Sequence, residues 1–381
     1  MLTGNPVVLG PCGAGSPALR LRAHRGPVPA GRARGLVPPV PAAPDTHLRR
    51  DLPLWGIGGY AETTTPVRRA SHIPNPPRIG IILSSGGGRG VYGHTGFLQA
   101  MTEMEIPVTA GAGCSAGAVV GAIHASGGNM DTWRAAITRV RRNDFWRPDS
   151  PLRLLWSLGV RRGRGWLGLA GTAAAISFVS RHLGATTFEA CCYPFRCVAL
   201  SIGTGTSRVF DSGELAPRVM ASAAMPVLYR PVALEGDLFC DGALITLAPT
   251  EAICCRYNLD LLIIHHVSER RAHRPELTRV LNQRWSLLGT LHRVIYRQRP
   301  WYLGQRPLSK TVCPCGCGTP VLVVEPDLPE LCWPLTEAGP AIAEEARRQT
   351  LAVLPRAINS ALAGNGESPS APSAPDQRPP C

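Results

Sequence analysis

Ile79-Gly80-Ile81-Ile82-Leu83-Ser84-Ser85-Gly86-Gly87-Gly88-Arg89-Gly90 and, further along, Gly113-Cys114-Ser115-Ala116-Gly117 are the stretches that decide how this chain folds. The first opens as a short apolar run of branched residues, interrupted by Gly80, with the length and composition of a buried strand. A glycine-rich loop follows from Ser84 to Gly90. Phe97, Leu98, Met101 and Met104 then recur at helical spacing, with Gln99, Glu103 and Glu105 on other faces. Pro107 ends that helix. A second short strand is predicted over 108–111, then a turn at Gly113–Gly117, then a helix with Ala118, Val119, Ala122 and Ile123 on its apolar face. The order strand, loop, helix, strand, turn, helix predicts a parallel sheet with crossover helices.

Outward from this nucleus, further strands are expected over 196–202, 207–210, 238–240, 259–267 and 320–324. A long helix rich in Ala, Glu and Arg is expected from Thr336 to Leu354. There is no internal repeat. Residues 1–75 are rich in Pro, Gly, Ala and Arg, with seven arginines against the single acid Asp45 in the first fifty, and carry no amphipathic period. They read as a disordered basic tail, and 363–381 as a disordered Ser/Pro tail. One domain, 76–362, is left to carry the chemistry, with a basic aromatic segment at 270–310 inside it.

Of 381 residues, 44% are hydrophobic, which suits a folded core of this length. The formal charge is +14, and Lys310 is the only lysine, so the excess is arginine. Codon bias accounts for part of that; attraction to an anionic surface is the functional reading. Thirteen cysteines, an odd number scattered as singles, doublets and one cluster, do not form the even framework of a small secreted scaffold. They read as reduced thiols of a cytoplasmic protein. No apolar run approaches the ~20 residues that span a bilayer, and the first residues lack the pattern of a secretory signal. Membrane contact is therefore expected to be peripheral.

Gly113-Cys114-Ser115-Ala116-Gly117 is a G-x-S-x-G. Small residues flank a serine where a strand turns sharply into a helix, and such a turn presents Oγ outward, with the helix N-terminus available to developing negative charge. In Gly86-Gly87-Gly88-Arg89-Gly90 the missing Cβ atoms let backbone N–H groups converge on an anion. A P-loop requires a Lys-Ser/Thr pair after the glycines, and none follows. A dinucleotide fingerprint requires an acid about twenty residues on, and none is well placed. Asp241-Gly242-Ala243, after the apolar Leu238-Phe239-Cys240, puts a carboxylate at a strand end. Alone it is an ordinary turn signal.

Taken together, these blocks resemble the patatin-like phospholipase family, in its bacterial lysophospholipase and esterase-like branch. The resemblance covers roughly Arg78 to Leu354. It includes Val209-Phe-Asp-Ser-Gly-Glu-Leu-Ala-Pro217, Ala221-Ser-Ala-Ala-Met-Pro226, and Pro249 after the Asp-Gly-Ala. It implies an α/β class, with a three-layer α/β/α fold and a mainly parallel central sheet. It also implies a Ser–Asp dyad without cofactor or metal: Ser115 as nucleophile, Asp241 as general base, Gly113 and Gly117 framing the nucleophile elbow, and Gly242 and Ala243 completing the DG motif. Gly86, Gly87, Gly88, Arg89 and Gly90 become the oxyanion hole. The family loop reads three glycines, any residue, Arg or Lys, then Gly; here either Ser85 replaces the first glycine or the variable residue before Arg89 is missing, and Gly87 and Gly88 are the expected donors. The implied substrate is a phospholipid or other lipid ester.

Two competing readings remain. A Ser-His-Asp hydrolase would take its histidine from His265, His266, His273 or His292. A worn, non-catalytic patatin fold would bind lipid without hydrolysing it, although Ser115 and Asp241 are both retained. Arginines with Trp146, Trp156 and Trp166, and again with Trp285, Tyr296, Trp301 and Tyr302, suit docking on an anionic membrane; no nucleic-acid motif accompanies them, so nucleic acid is not expected as a partner. The sequence sets no oligomeric state. Cys313-Pro-Cys315-Gly-Cys317-Gly offers a metal site with Cys332 as a fourth thiolate, but its alternate spacing is less suited to a tetrahedron than C-x₂₋₄-C, and a turn or insertion loop is the first reading. The doublets Cys191-Cys192 and Cys254-Cys255 read as small buried side chains, and His94 as structural.

Overall fold

The computed structural model describes residues 76–150, 152, 155–160, 162, 167–267, 300–329, 331 and 338–363. Both tails, His273, His292, Trp166, Trp285, Tyr296 and Cys332 lie outside the described residues. The order is β1 (Ile79–Leu83), α1 (Gly87–Glu103), β2 (Ala110–Cys114), α2 (Ala116–Ala125), α3 (Met130–Arg139), β3 (Gly168–Ala170) and α4 (Ala173–Ser180). Then come β4 (Phe195–Ser201), β5 (Ser207–Phe210), α5 (Leu215–Ser222), β6 (Val227–Tyr229), β7 (Val232–Leu234) and β8 (Asp237–Asp241). The order closes with β9 (Leu261–His265), β10 (Leu308–Val312), β11 (Pro320–Val324) and α6 (Gly339–Ala363).

A nine-stranded sheet runs β10-β11-β9-β1-β2-β4-β8-β7, with β5 also on β4. Its middle five strands are parallel, and the outer pairings are antiparallel. The middle strands are buried on both faces, so they read as continuous apolar runs. Alternate residues divide between two cores. Ile81, Ile263 and Leu322 pack with α1, α2, α3 and α6. Ile82, Ile264 and Val323 face Ile253, Leu259 and Tyr302 on the other side. Each such side chain contributes about 1.5–3 kcal/mol by leaving water.

The strands expected over 196–202, 238–240 and 259–267 are shifted or resized by one or two residues, to Phe195–Ser201, Asp237–Asp241 and Leu261–His265, and three further boundaries differ from the sequence reading. Helix α1 starts at Gly87, so only Ser84–Gly86 remains loop; a helix that opens on glycines carries no apolar period to announce it. Strand β2 begins at Ala110 and runs through Cys114, because all five residues are small and buried between neighbouring strands. Helix α6 runs past Pro355 to Ala363. Its buried stripe of Ile342, Ala346, Thr350, Leu354, Ile358 and Ala361 continues across the proline, so packing outweighs the missing hydrogen bond. Strands β3, β6, β7 and β10, each three to five residues, were not foreseen.

Helices α1 and α6 touch backbone to backbone at Gly96, where a Cβ would lie 1.9 Å from the Ala343 carbonyl oxygen. Helix propensity alone favours Gly96→Ala by about 1 kcal/mol, but the clash is with backbone and cannot be relieved by a rotamer. Gly96→Ala is therefore expected to lower unfolding free energy by about 1–3 kcal/mol, read by denaturant titration. A gain in stability would show that the two helices do not meet there.

Candidate active site

Strand β4 has two edges, and the pairing registers show how they are shared. Cys197 and Val198 pair with β2 on one side and β5 on the other; Ala199 and Leu200 pair with β5 and β8. Strands β2 and β8 therefore occupy the same edge of β4 from opposite ends. Cys114 is paired with Val198, and Asp241 with Ala199, the next residue. The chain leaves β2 at Ser115 directly opposite the end of β8. Ser115 Oγ donates to Asp241 Oδ2 at 2.7 Å.

Ser115 stands between β2 and α2 with φ 53° and ψ −119°, a strained conformation for a non-glycine residue and common at functional turns. Its N–H donates to Ser222 Oγ at 3.1 Å, and Ser222 Oγ donates to the Val198 carbonyl at 2.6 Å. The flanking glycines are steric necessities. A Cβ on Gly113 would meet the Gly117 carbonyl oxygen at 2.4 Å, and one on Gly117 the Leu83 carbonyl oxygen at 2.2 Å. Gly242 lies as tightly against Val198 O, at 2.2 Å.

Asp241 is 1% exposed. Burial pushes its carboxyl up to about 6, against the Ala243 N–H and the Ser115 hydroxyl, which favour the anion. Ala243 N–H donates to Oδ1 at 2.9 Å, so the two oxygens are held by different partners and Oδ2 is kept for the serine. Neighbouring Cys114 is fully buried; burial, then the charge of Asp241, push its thiol up, so it stays neutral.

The glycine loop is packed onto this elbow. A Cβ on Gly90 would come 2.9 Å from Ala116 Cβ, and one on Gly117 2.6 Å from Ser84 O. Gly87 has φ +55° and empty space where a Cβ would point, so backbone conformation is what demands glycine there. Gly87, Gly88 and Arg89 form the opening turn of α1, whose N–H groups have no carbonyl four residues back; the first turn closes with Gly90 N–H to Gly86 O at 2.7 Å. The Arg89 guanidinium donates to Pro329 O and Leu328 O at 2.9 and 2.5 Å.

The histidines sit elsewhere. His94 Nε2 lies 2.7 Å from Ser84 O, and its Nδ1 2.7 Å from His265 Nδ1. A carbonyl only accepts, so His94 carries its proton on Nε2 and His265 donates from Nδ1. Burial holds His94 down at about 3 and, with its two histidine neighbours, holds His265 well below the imidazole range. Both are neutral posts that fix the carbonyl of the glycine loop. His266 Nδ1 meets the Tyr302 hydroxyl at 3.0 Å. Among the described residues, the hydrogen bonds of Asp241's side chain run to Ser115 and Ala243, and none to a histidine. The bridging of Ser84 by His94 and His265 escaped the sequence reading, because its members come from β1, α1 and β9.

Of the basic aromatic residues, Trp146 is core, donating from Nε1 to Leu228 O at 3.0 Å. Trp156 is 61% exposed. A cavity of about 710 Å³ lies between α1, α3 and α6 at Gln99, Asn129, Arg134 and Glu344, and Ser115 is not in its lining.

A sharp strand–serine–helix turn in a parallel sheet, with an acid brought to the serine from a neighbouring strand, defines a serine hydrolase-like site. Residues 81–253, which include Ser115 and Asp241, match the family model described as patatin-like phospholipase. The chain carries a domain of the patatin-like phospholipase family. An uncharacterized NTE family protein of Mycobacterium tuberculosis is 31% identical over 191 residues, 49% of this chain and 48% of that protein. Lysophospholipase NTE1 of Cryptococcus neoformans var. neoformans is 26% identical over 192 residues, 49% of this chain and 11% of that protein. The chain thus spans about half the length of the mycobacterial relative or less of the others. Human GIVD cytosolic phospholipase A2 superposes with a TM-score of 0.43 and 11% identity, covering 78% of this chain and 64% of that one; the fold assignment rests on strand order and the family match.

An acid whose folded pKa is raised costs nothing below its unfolded value, about 3.9, and its full penalty above the folded value. Asp241→Asn removes that penalty. The mutant is expected to gain roughly 1–2 kcal/mol more over wild type at about pH 8 than at about pH 5, measured by denaturant unfolding at both. A gain independent of pH would mean that the carboxyl of Asp241 is ionised in the fold as readily as in the unfolded chain, with no rise from burial.

Proposed function

We propose that this protein is a serine lipid acyl hydrolase, acting on phospholipid or another lipid ester through an acyl-enzyme on Ser115. The 2.7 Å hydrogen bond from Ser115 Oγ to the buried Asp241 carboxylate carries the reading. Asp241 takes the hydroxyl proton as Oγ attacks the ester carbonyl. The tetrahedral oxyanion is met by N–H groups of Gly87 and Gly88, each lowering the barrier by roughly 3 kcal/mol, and by the N-terminus of α2. Collapse expels the alcohol, which takes its proton from Asp241. Water, deprotonated by the same carboxylate, then cleaves the acyl-enzyme and releases the fatty acid. A carboxylate raised to about 6 is a better base than an ordinary one and is still ionised at neutral pH.

Ser115→Ala and Asp241→Asn are each expected to lower kcat/KM for p-nitrophenyl esters by about 10³-fold or more, with folding intact. Wild-type kcat/KM should fall on acidification with a midpoint near the Asp241 value of about 6. A fluorophosphonate probe should label Ser115. Wild type that neither hydrolyses nor labels would instead be a lipid-binding protein, and activity surviving Asp241→Asn would remove the dyad.

Access to a bilayer is supported by exposed apolar side chains next to one another in sequence. Leu152, Leu155, Trp156, Val160 and Leu167 are all at least 49% exposed. The stretch leads into β3, which pairs with β6, and the carbonyl of Ala224 shortly before β6 accepts the Asp241 N–H at 3.1 Å. Exposed apolar side chains in an arginine-rich stretch of sequence suit an anionic lipid surface. No described helix is long and apolar enough to cross a membrane. Replacing Leu155 and Trp156 by Glu is expected to weaken binding to anionic vesicles by about tenfold or more and to leave hydrolysis of a water-soluble ester unchanged. Equal vesicle binding by the variant would mean that the patch does not dock.

A further inference from the structure

Strand β9 is approached by a segment carrying Cys254 and Cys255, and the β10–β11 hairpin carries Cys313, Cys315 and Cys317 at its tip. Separated by more than fifty residues in sequence, the two groups of thiols are brought together. Cys254 Sγ lies 3.4 Å from Cys255 Sγ and 3.8 Å from Cys315 Sγ; Cys315 Sγ lies 2.9 Å from Cys255 Sγ and 3.2 Å from Cys313 Sγ. Cys254, Cys313 and Cys315 all fall within 4.8 Å of one another. Zinc held by four thiolates at about 2.3 Å spaces its sulfurs about 3.8 Å apart; the separations from Cys254 stand near that spacing and the two from Cys315 to Cys255 and Cys313 lie inside it, while Cys255, Cys315 and Cys317 form a second triad within 4.8 Å.

We propose that Cys254, Cys255, Cys313 and Cys315 form a structural site for a thiolate-seeking divalent cation, zinc. Each bond forms as a sulfur displaces a water from the ion and its proton passes to solvent. Gly316 and Gly318, with φ +81° and +70° and open space around each, turn the hairpin tip back so that Cys313 and Cys315 face the doublet. Cys317, also within 4.8 Å of Cys255 and Cys315, donates to Thr319 Oγ1 at 3.2 Å, and the proposal leaves it outside the ligand set. All these cysteines follow the 81–253 family match, so the site is a feature of this chain beyond that match. It clamps the tip of an edge hairpin to the lead-in of a central strand. The alternate spacing at 313–317 is unsuited to a metal alone; the doublet supplies the other half of the tetrahedron.

The test is zinc content of the full chain, purified reduced and without chelator. About one ion per chain is expected, lost in Cys315→Ser and kept in Cys317→Ser. Should Cys315→Ser fail to fold, Co²⁺ added to reduced, metal-stripped wild type should give the thiolate-to-cobalt charge-transfer absorption and ligand-field bands of a tetrahedral sulfur site. Wild type without zinc and without those bands would overturn the proposal. So would a mass two hydrogens short in the purified chain, with Cys255 and Cys315 joined as a disulfide.

Discussion

Strands β2 and β8 meet end to end on one edge of β4, and the site depends on that meeting. Val198 and Ala199 are adjacent residues of β4, one paired with Cys114 and the other with Asp241. Their separation is fixed by the backbone repeat of a single strand and by no loop. The Ser115–Asp241 hydrogen bond inherits that rigidity. Ala243 N–H, on the turn that follows, holds the other carboxylate oxygen.

The geometry is costly, and the cost is distributed through the fold. Ser115 sits at positive φ, a strain of about 1–3 kcal/mol, and Asp241 is buried with its charge resisted by desolvation. Buried strands on both sides of the elbow hold it in place, with Leu83, Ala112 and Val198 each 0% exposed. Glycine is required wherever backbones approach to make room: Gly113 and Gly117 around the serine, Gly242 against β4. Two neutral histidines do the corresponding work for the glycine loop. Their low proton affinity follows from burial first, so the Ser84 carbonyl they fix is not released near neutral pH.

The two faces of the sheet are finished differently. One is covered by helices α1, α2, α3 and α6. Among the described residues, the other is covered by short turns around Ile253, Leu259 and Tyr302 together with the cysteine-bearing hairpin tip. Turns bury less apolar surface per residue than helices, so a cross-link there stabilises more than it would beneath α6.

Much of this was legible in the residues alone. The apolar run at Ile79 and the small residues about Ser115 name the parallel sheet and the turn, because local sterics restrict which residues tolerate those backbones; Asp241, by itself a turn signal, was singled out only through the family resemblance. Strand 320–324 could be placed to the residue, since branched apolar runs have few alternatives. Four short strands were missed because three to five residues are too few to establish a period. The start of α1 was missed because glycine carries no propensity signal for the helix it opens. What the tertiary structure alone decided is who meets whom: Asp241 with Ser115 across β4, His94 with His265 beneath the loop, Cys254 and Cys255 with Cys313 and Cys315. These partners are 60 to 171 residues apart where their contacts are measured. Spacing along a chain carries no information about register between strands, which is set by hydrogen bonds formed only when the sheet assembles.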